Sequence, residues 1–152
     1  MCKKYRWLTM CLLIASVSYV KAQTAQDSAN IKRVALAYIE AQHKPNPQLM
    51  EGALHPRMVK RSVFTNKASQ KQYVSEYFTE NMIILAQTYN AKGDKFPENP
   101  RKEVKFLDVS ALTASVKLIA DAWIDYMHVV KVNGEWKVIN VLWQYNDVAE
   151  HQ

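Results

Sequence analysis

Between about Asp27 and Gln42, the apolar residues Ile31, Val34, Ala35, Tyr38 and Ile39 recur at three- and four-residue spacing, with Lys32, Arg33 and Glu40 off the stripe. That period predicts an amphipathic helix, capped at Asp27 or Ser28. The segment "HKPNPQ" ends it, because two prolines in three residues cannot continue a helix. Pro47 then opens a short helix, "PQLMEGAL", that ends near His55-Pro56. "RMVKRSVF" follows, and Met58, Val59, Val63 and Phe64 give it the character of a strand. "TNKASQKQ" reads as a connector, with Ser69 capping a longer helix from Gln70 to Tyr89. Its predicted buried face is Tyr73, Val74, Tyr77, Phe78, Met82 and Leu85.

The pattern changes period after the polar, proline-bearing loop "NAKGDKFPENP". "RKEVKFLDVS" puts Val104, Phe106 and Asp108 on one face, and "LTASVKLIA" follows so closely that the two predict a hairpin around Ser110 and Ala111. "DAWIDYMHVVKV" and "EWKVINVLWQY" are joined by Asn133-Gly134, a pair that tolerates the positive φ angles of a two-residue turn. Helices followed by a run of strands predict an α+β domain, with the helices packed on one side of a curved antiparallel sheet.

The turn at Asn133-Gly134 also sets an expected register. Opposing Val132 and Glu135 aligns Lys131 with Trp136, Val129 with Val138, Met127 with Asn140, Asp125 with Leu142 and Trp123 with Gln144. The other face then collects Val130 with Lys137, His128 with Ile139, Tyr126 with Val141 and Ile124 with Trp143. Neither face shows the polar alternation of a solvated sheet surface. The Trp123 and Asp125 face is expected to cover the helices. Tyr126, His128, Ile139, Val141 and Trp143 are then expected to meet a second copy of the chain, as a homodimer.

The N-terminus alters the bulk composition. "MCKKYR" is basic, "WLTMCLLIASVSYV" is an apolar run and "VKAQ" has small residues at a cleavage point, which is the layout of a secretory signal peptide cut between Ala22 and Gln23. The run is shorter than the roughly 17–25 residues that span a bilayer. The expected product is a single domain over residues 23–152, secreted or periplasmic and free of the membrane after cleavage. Lys3, Lys4, Arg6 and Lys21 leave with the peptide, so 16 basic residues face 14 acidic ones and the formal net charge falls from +6 to +2. The basic composition is then no argument for nucleic acid, and no basic patch is interleaved with aromatics. Cys2 and Cys11 leave too, which removes disulfide, thiol-nucleophile and thiolate-metal chemistry.

The arrangement of an N-terminal helix, "ALHPRMVKRSVF", a second helix and "WIDYMHVVKVNGEWKVINVLW" resembles the lumazine-binding-like family of the nuclear transport factor 2-like superfamily. The specific part is "HPRMVKR" with "DYMHVVKVNGEWKVIN"; the likeness spans roughly Ser28 to Asn146. It implies a cone-shaped α+β fold, whose bent sheet wraps the helices and leaves a cavity at the open end. Relatives in that superfamily include ketosteroid isomerase, scytalone dehydratase and polyketide cyclases, beside many binding and dimerisation modules. The fold does not by itself choose among these functions.

Asp125 is the candidate acid/base, since burial beside Trp123, Met127 and Leu142 would raise its pKa toward the range useful for proton transfer. Asn140 lies diagonally across the expected ladder and Tyr38 could reach from the first helix, a donor set suited to an oxyanion. The plainer reading gives Asp125 a purely structural hydrogen bond. His55 and Arg57 form a second candidate pair, which the resemblance sets at the cavity mouth. No histidines share metal-ligand spacing, the three glycines form no phosphate loop and no GxSxG motif occurs, so neither metal nor cofactor is expected. The sequence thus points to an exported domain that binds a small, partly apolar molecule. Two alternatives stay open: an isomerase, dehydratase or cyclase working through Asp125, and an interaction module whose cavity its own side chains fill.

Overall fold

The computed structural model describes residues 25–147. The expected signal peptide lies outside them. The chain divides into two compact units, residues 1–30 and 31–152. Of the first, residues 25–30 are described, and they are helical. The second unit holds every strand of the sheet.

Helix α1 covers 25–43, so Asp27 and Ser28 lie within it and do not cap it. Its stripe is buried as the periodicity predicts, with Ile31, Ala35, Tyr38 and Ile39 fully enclosed. Ile31 and Ile39 each contribute roughly 1.5–3 kcal/mol of transfer free energy, and the single methyl of Ala35 less. Helix α2 (Pro47–Ala53) starts where proline suits the first turn, and Asn46 Oδ1 accepts the Leu49 N–H at 2.9 Å as its cap. Strand β1 (Leu54–Thr65) comes directly after it.

The expected helix from Gln70 to Tyr89 forms only in its second half. Gln72–Phe78 is strand β2, and α3 occupies Thr79–Thr88. Tyr73, Val74, Tyr77 and Phe78 are spaced for a helix, but β-branched and aromatic residues also suit a strand. The preceding turn decides between them. Asn66 Oδ1 accepts the N–H groups of Ala68 and Ser69, and Gln70 takes a positive φ of 56°. The chain therefore folds back and pairs antiparallel with β1, from Thr65 opposite Gln72 to Val59 opposite Phe78. Ser69 belongs to this turn, and the four expected core residues of β2 are exposed. Helix α3 begins where Asn81 Oδ1 accepts the Phe78 N–H at 2.9 Å.

The remaining strands are β3 (Lys102–Val109), β4 (Thr113–Ala120), β5 (Trp123–Val132) and β6 (Glu135–Tyr145). With β1 and β2 they make one six-stranded sheet in the order β2-β1-β6-β5-β4-β3. Every neighbouring pair is antiparallel except β1 with β6, so the sheet is mixed where an antiparallel one was expected. The class is α+β as predicted. The core joins helical residues such as Ile39, Met50 and Met82 to Val116, Leu118, Met127, Val138 and Val141 of the sheet.

Three ladders carry register shifts, and such bulges bend and twist a sheet. One falls in β1 between Leu54 and Val59, around Pro56, which has no N–H to give a ladder. Another falls in the final hairpin between His128 and Val129. Up to it the expected register holds: Val132 opposes Glu135, Lys131 opposes Trp136 and Val129 opposes Val138. Asn133 and Gly134 take φ of 52° and 84°, as the turn requires. Beyond the bulge, β6 has one extra residue and the pairing moves on by one. Met127 meets Val141, Asp125 meets Trp143 and Trp123 meets Tyr145.

Candidate functional site

A one-residue slip exchanges faces, so the bulge reassigns four expected residues. Val141 and Trp143, expected outside, are on the inner face with Trp123, Asp125 and Met127. Asn140 and Leu142, expected beside the cavity, are on the outer face. There Asn140 Oδ1 accepts Arg61 Nη1 at 3.0 Å and Leu142 opposes Tyr126. Ile139 sits at the bulge itself, half-buried. Tyr126 and His128 do face outward and are exposed. Asp125 and His128 lie on opposite faces, so the pair makes no dyad.

The inner face meets α1 at a buried polar group. Lys60 of β1 reaches across β6 to place its ammonium 3.0 Å from Asp125 Oδ1 and 2.6 Å from Tyr38 Oη. Asp125 and Tyr38 are fully buried and Lys60 nearly so. Burial raises the Asp125 pKa, and it outweighs the charge and hydrogen bond of Lys60 and the smaller influence of the Trp123 indole, all of which favour the carboxylate. The Trp123 indole nevertheless completes no hydrogen bond with it, because Trp123 Nε1 and Asp125 Oδ2 are both without a partner. Tyr38 is held well above the usual phenol range, first by burial and then by the Asp125 charge, with Gln42 acting weakly the other way.

In front of this group is a cavity of about 140 Å³. Its walls include Tyr77, Tyr89, Trp123, Trp143 and Tyr145, with Met82 and Leu85 from α3 and Gln42 from α1. Lys60 is the charged residue that lines it, while Asp125 stands behind. The ammonium lies 4.8 Å from the Trp143 ring centre and 5.3 Å from that of Tyr38, within cation–π range. Two aromatic groups brace the walls. Trp123 packs against Phe96 and Tyr89 at centroid distances of 5.8 and 6.4 Å, and Trp143 against Tyr145 and Phe64 at 5.1 and 5.8 Å.

Of the expected site residues, the structure brings together Tyr38, Asp125 and Trp123. Met127 is buried opposite Val141 and does not line the cavity. His55 and Arg57 stand at the β1 bulge: His55 Nδ1 accepts the Arg57 N–H at 3.1 Å, His55 O accepts Thr79 Oγ1 at 2.8 Å, and Arg57 is exposed. Neither lines the cavity. Lys60 is not among the residues expected from the sequence, since an alternating strand gives little sign that one of its lysines points inward. The signal was present in the parity of β1: Met58, Lys60 and Ser62 share a face, and Met58 is a core residue. Among the described residues, no cluster of His, Cys, Asp and Glu could hold a metal ion, and no helix is long and apolar enough to cross a membrane.

The profile of the family described as "Putative lumazine-binding" matches residues 26–144. The chain belongs to this family. No curated protein matches it. The solved structures it is similar to include three nuclear transport factor 2-like proteins. One, of unknown function, from Silicibacter pomeroyi is 11% identical with a TM-score of 0.62, covering 81% of this chain and 98% of that one. A second, also of unknown function, from Shewanella baltica is 17% identical with a TM-score of 0.60, covering 81% and 96%. A third, from Novosphingobium aromaticivorans and described as having a cystatin-like fold, is 11% identical with a TM-score of 0.62, covering 85% and 88%. At these identities the likeness shows the fold, nuclear transport factor 2-like, and leaves the ligand to be argued from the site.

Proposed function

We propose that this member of the lumazine-binding-like family is an exported domain that binds one small, partly apolar molecule in the aromatic cavity over Lys60. The observation that carries the reading is the cavity itself. It is walled by five aromatic side chains and has a single charged group at its base, the pattern of a small-molecule site. The family's description supports a ligand of this size. Export rests on the signal-peptide layout of residues 1–22. The catalytic alternative would need Asp125 to reach the ligand, and Lys60 stands between them.

The homodimer expected from the sequence keeps Tyr126 and His128 on the outer face and gains Leu142. Tyr126 and Leu142 oppose each other across the ladder at 41% and 52% exposure, which supports a second copy as the cover. Native mass spectrometry of the protein purified after export tests both parts. The reading expects a retained small-molecule adduct on each chain, on a species of twice the chain mass. A bare monomer, with no compound that restores the adduct, would count against it.

A further inference from the structure

The hydrogen-bonding groups around the cavity do not balance. A lysine ammonium has three donors. Those of Lys60 meet Tyr38 Oη and Asp125 Oδ1, which leaves one without a hydrogen-bond acceptor. Trp143 Nε1 is also buried without an acceptor, and Trp143 lines the cavity. Buried polar groups in folded proteins are nearly always satisfied, and an orphan costs about 1–3 kcal/mol. Two unmet donors around one hollow therefore call for a ligand that brings acceptors. Trp123 Nε1 and Asp125 Oδ2 are unmatched as well, but the indole acts on the Asp125 carboxylate behind the lining, so neither makes a demand on a ligand.

The charges do balance. Lys60 already has its counter-ion in Asp125, so the pair carries no net charge before any ligand enters. A second anion would leave two negative charges against one positive charge in a water-poor site, a poor exchange for its hydration shell. A carbonyl oxygen would take the free Lys60 donor at no such cost. Size suits one ring: an apolar cavity of about 150 Å³ accommodates benzene, and this one is about 140 Å³.

We propose that the cavity selects a neutral, single-ring-sized molecule bearing a carbonyl or oxo acceptor, which docks on Lys60 while its ring lies among the aromatic walls. Asp125 acts as a built-in counter-ion that turns Lys60 from an anion receptor into a hydrogen-bond donor for uncharged ligands. The inference rests on the small-molecule reading above and adds the ligand's charge and polarity to it.

Three probes of one shape test it: benzamide, benzoate and toluene, titrated into the mature protein at pH 7 and followed by ligand-observed NMR. Benzamide is expected to bind at least about tenfold more tightly than either of the others. Benzoate binding as tightly as benzamide would overturn the role of the internal counter-ion. Toluene binding as tightly as benzamide would overturn the donor argument and leave the cavity reading standing. Binding of none of the three would overturn the cavity reading as well. In Asp125→Asn, Lys60 loses its counter-ion and the order of benzamide and benzoate should reverse; an unchanged order in a folded variant would contradict the proposal. The comparison on the unmodified protein decides the case even if that variant fails to fold.

Discussion

Lys60 Nζ and Asp125 Oδ1 meet at 3.0 Å across 65 residues of chain, joining β1 to β5 over the inner face of β6. The contact puts a charged pair inside a part of the core that also opens onto an aromatic hollow. A buried pair of this kind is weak evidence for stability, because removing both ions from water offsets most of their attraction. Its position at the base of a cavity suggests that it is kept for what it presents there.

Removing one partner should be far worse than removing both. Lys60→Met leaves Asp125 buried without its cation, and we expect a loss of about 3–5 kcal/mol. Lys60→Met with Asp125→Asn should recover most of it. Urea denaturation of the two variants and the parent checks this, and equal losses in both variants would contradict it.

Asp125 should leave a signature in the pH dependence of stability. Its pKa is raised in the folded protein, so above the ordinary value of 3.8 the folded state holds a proton that the unfolded chain has released. Across the window from 3.8 up to the raised value, stability falls as pH rises, and above the window the loss is complete. The difference in urea midpoint between the parent and Asp125→Asn should therefore move against the parent as pH increases through that window. A difference moving the other way would mean that the Lys60 charge outweighs burial.

His43 should act in the opposite sense. Burial lowers its pKa, the Lys102 charge adds to this, and Asp121 and Glu40 oppose it. Its ring packs edge-on against Phe96 with centroids 4.4 Å apart, and Nε2 is without a partner. As pH falls through 6.5 the unfolded chain takes up a proton first, so stability is lost on the acid side. The Cε1–H resonance should titrate below 6.5, and a midpoint at or above that value would contradict the burial argument.

Gly134→Ala isolates the backbone of the final turn. An added Cβ would meet nothing within 4 Å, so no clash contributes, but φ is +84°. The expected cost is about 1 kcal/mol, from the left-handed conformation alone. Thermal or urea unfolding measures it, and a neutral result would mean that the turn relaxes.

Much of the fold is legible in the sequence because its signals are local. The stripe of α1, Pro47 at the start of α2 and the Asn133-Gly134 turn each depend on residues a few positions apart. Asp27 and Ser28 fail as a local cap, but the differences that reshape the site come from long-range pairing. Tyr73 and Val74 suit either a helix or a strand, and β1 as a partner decided for the strand. The bulge beyond Val129 has no residue signature, yet it exchanged Asn140 and Leu142 for Val141 and Trp143 on the cavity side. Lys60 reads as an ordinary polar position until Asp125 is brought beside it. Tyr38, Trp123 and Asp125 were legible as inward-facing residues because helix period and strand parity both turned them inward.

The most direct test of a ligand in this cavity uses its own indoles. Residues 23–152 contain three tryptophans: Trp123 and Trp143 line the cavity, while Trp136 is buried and not part of the lining. In a 15N-labelled sample titrated with ring-sized amides, the Trp123 and Trp143 Nε1–H resonances should shift and saturate together while that of Trp136 stays in place. Resonances that do not move, or that move only together with Trp136, would contradict the account.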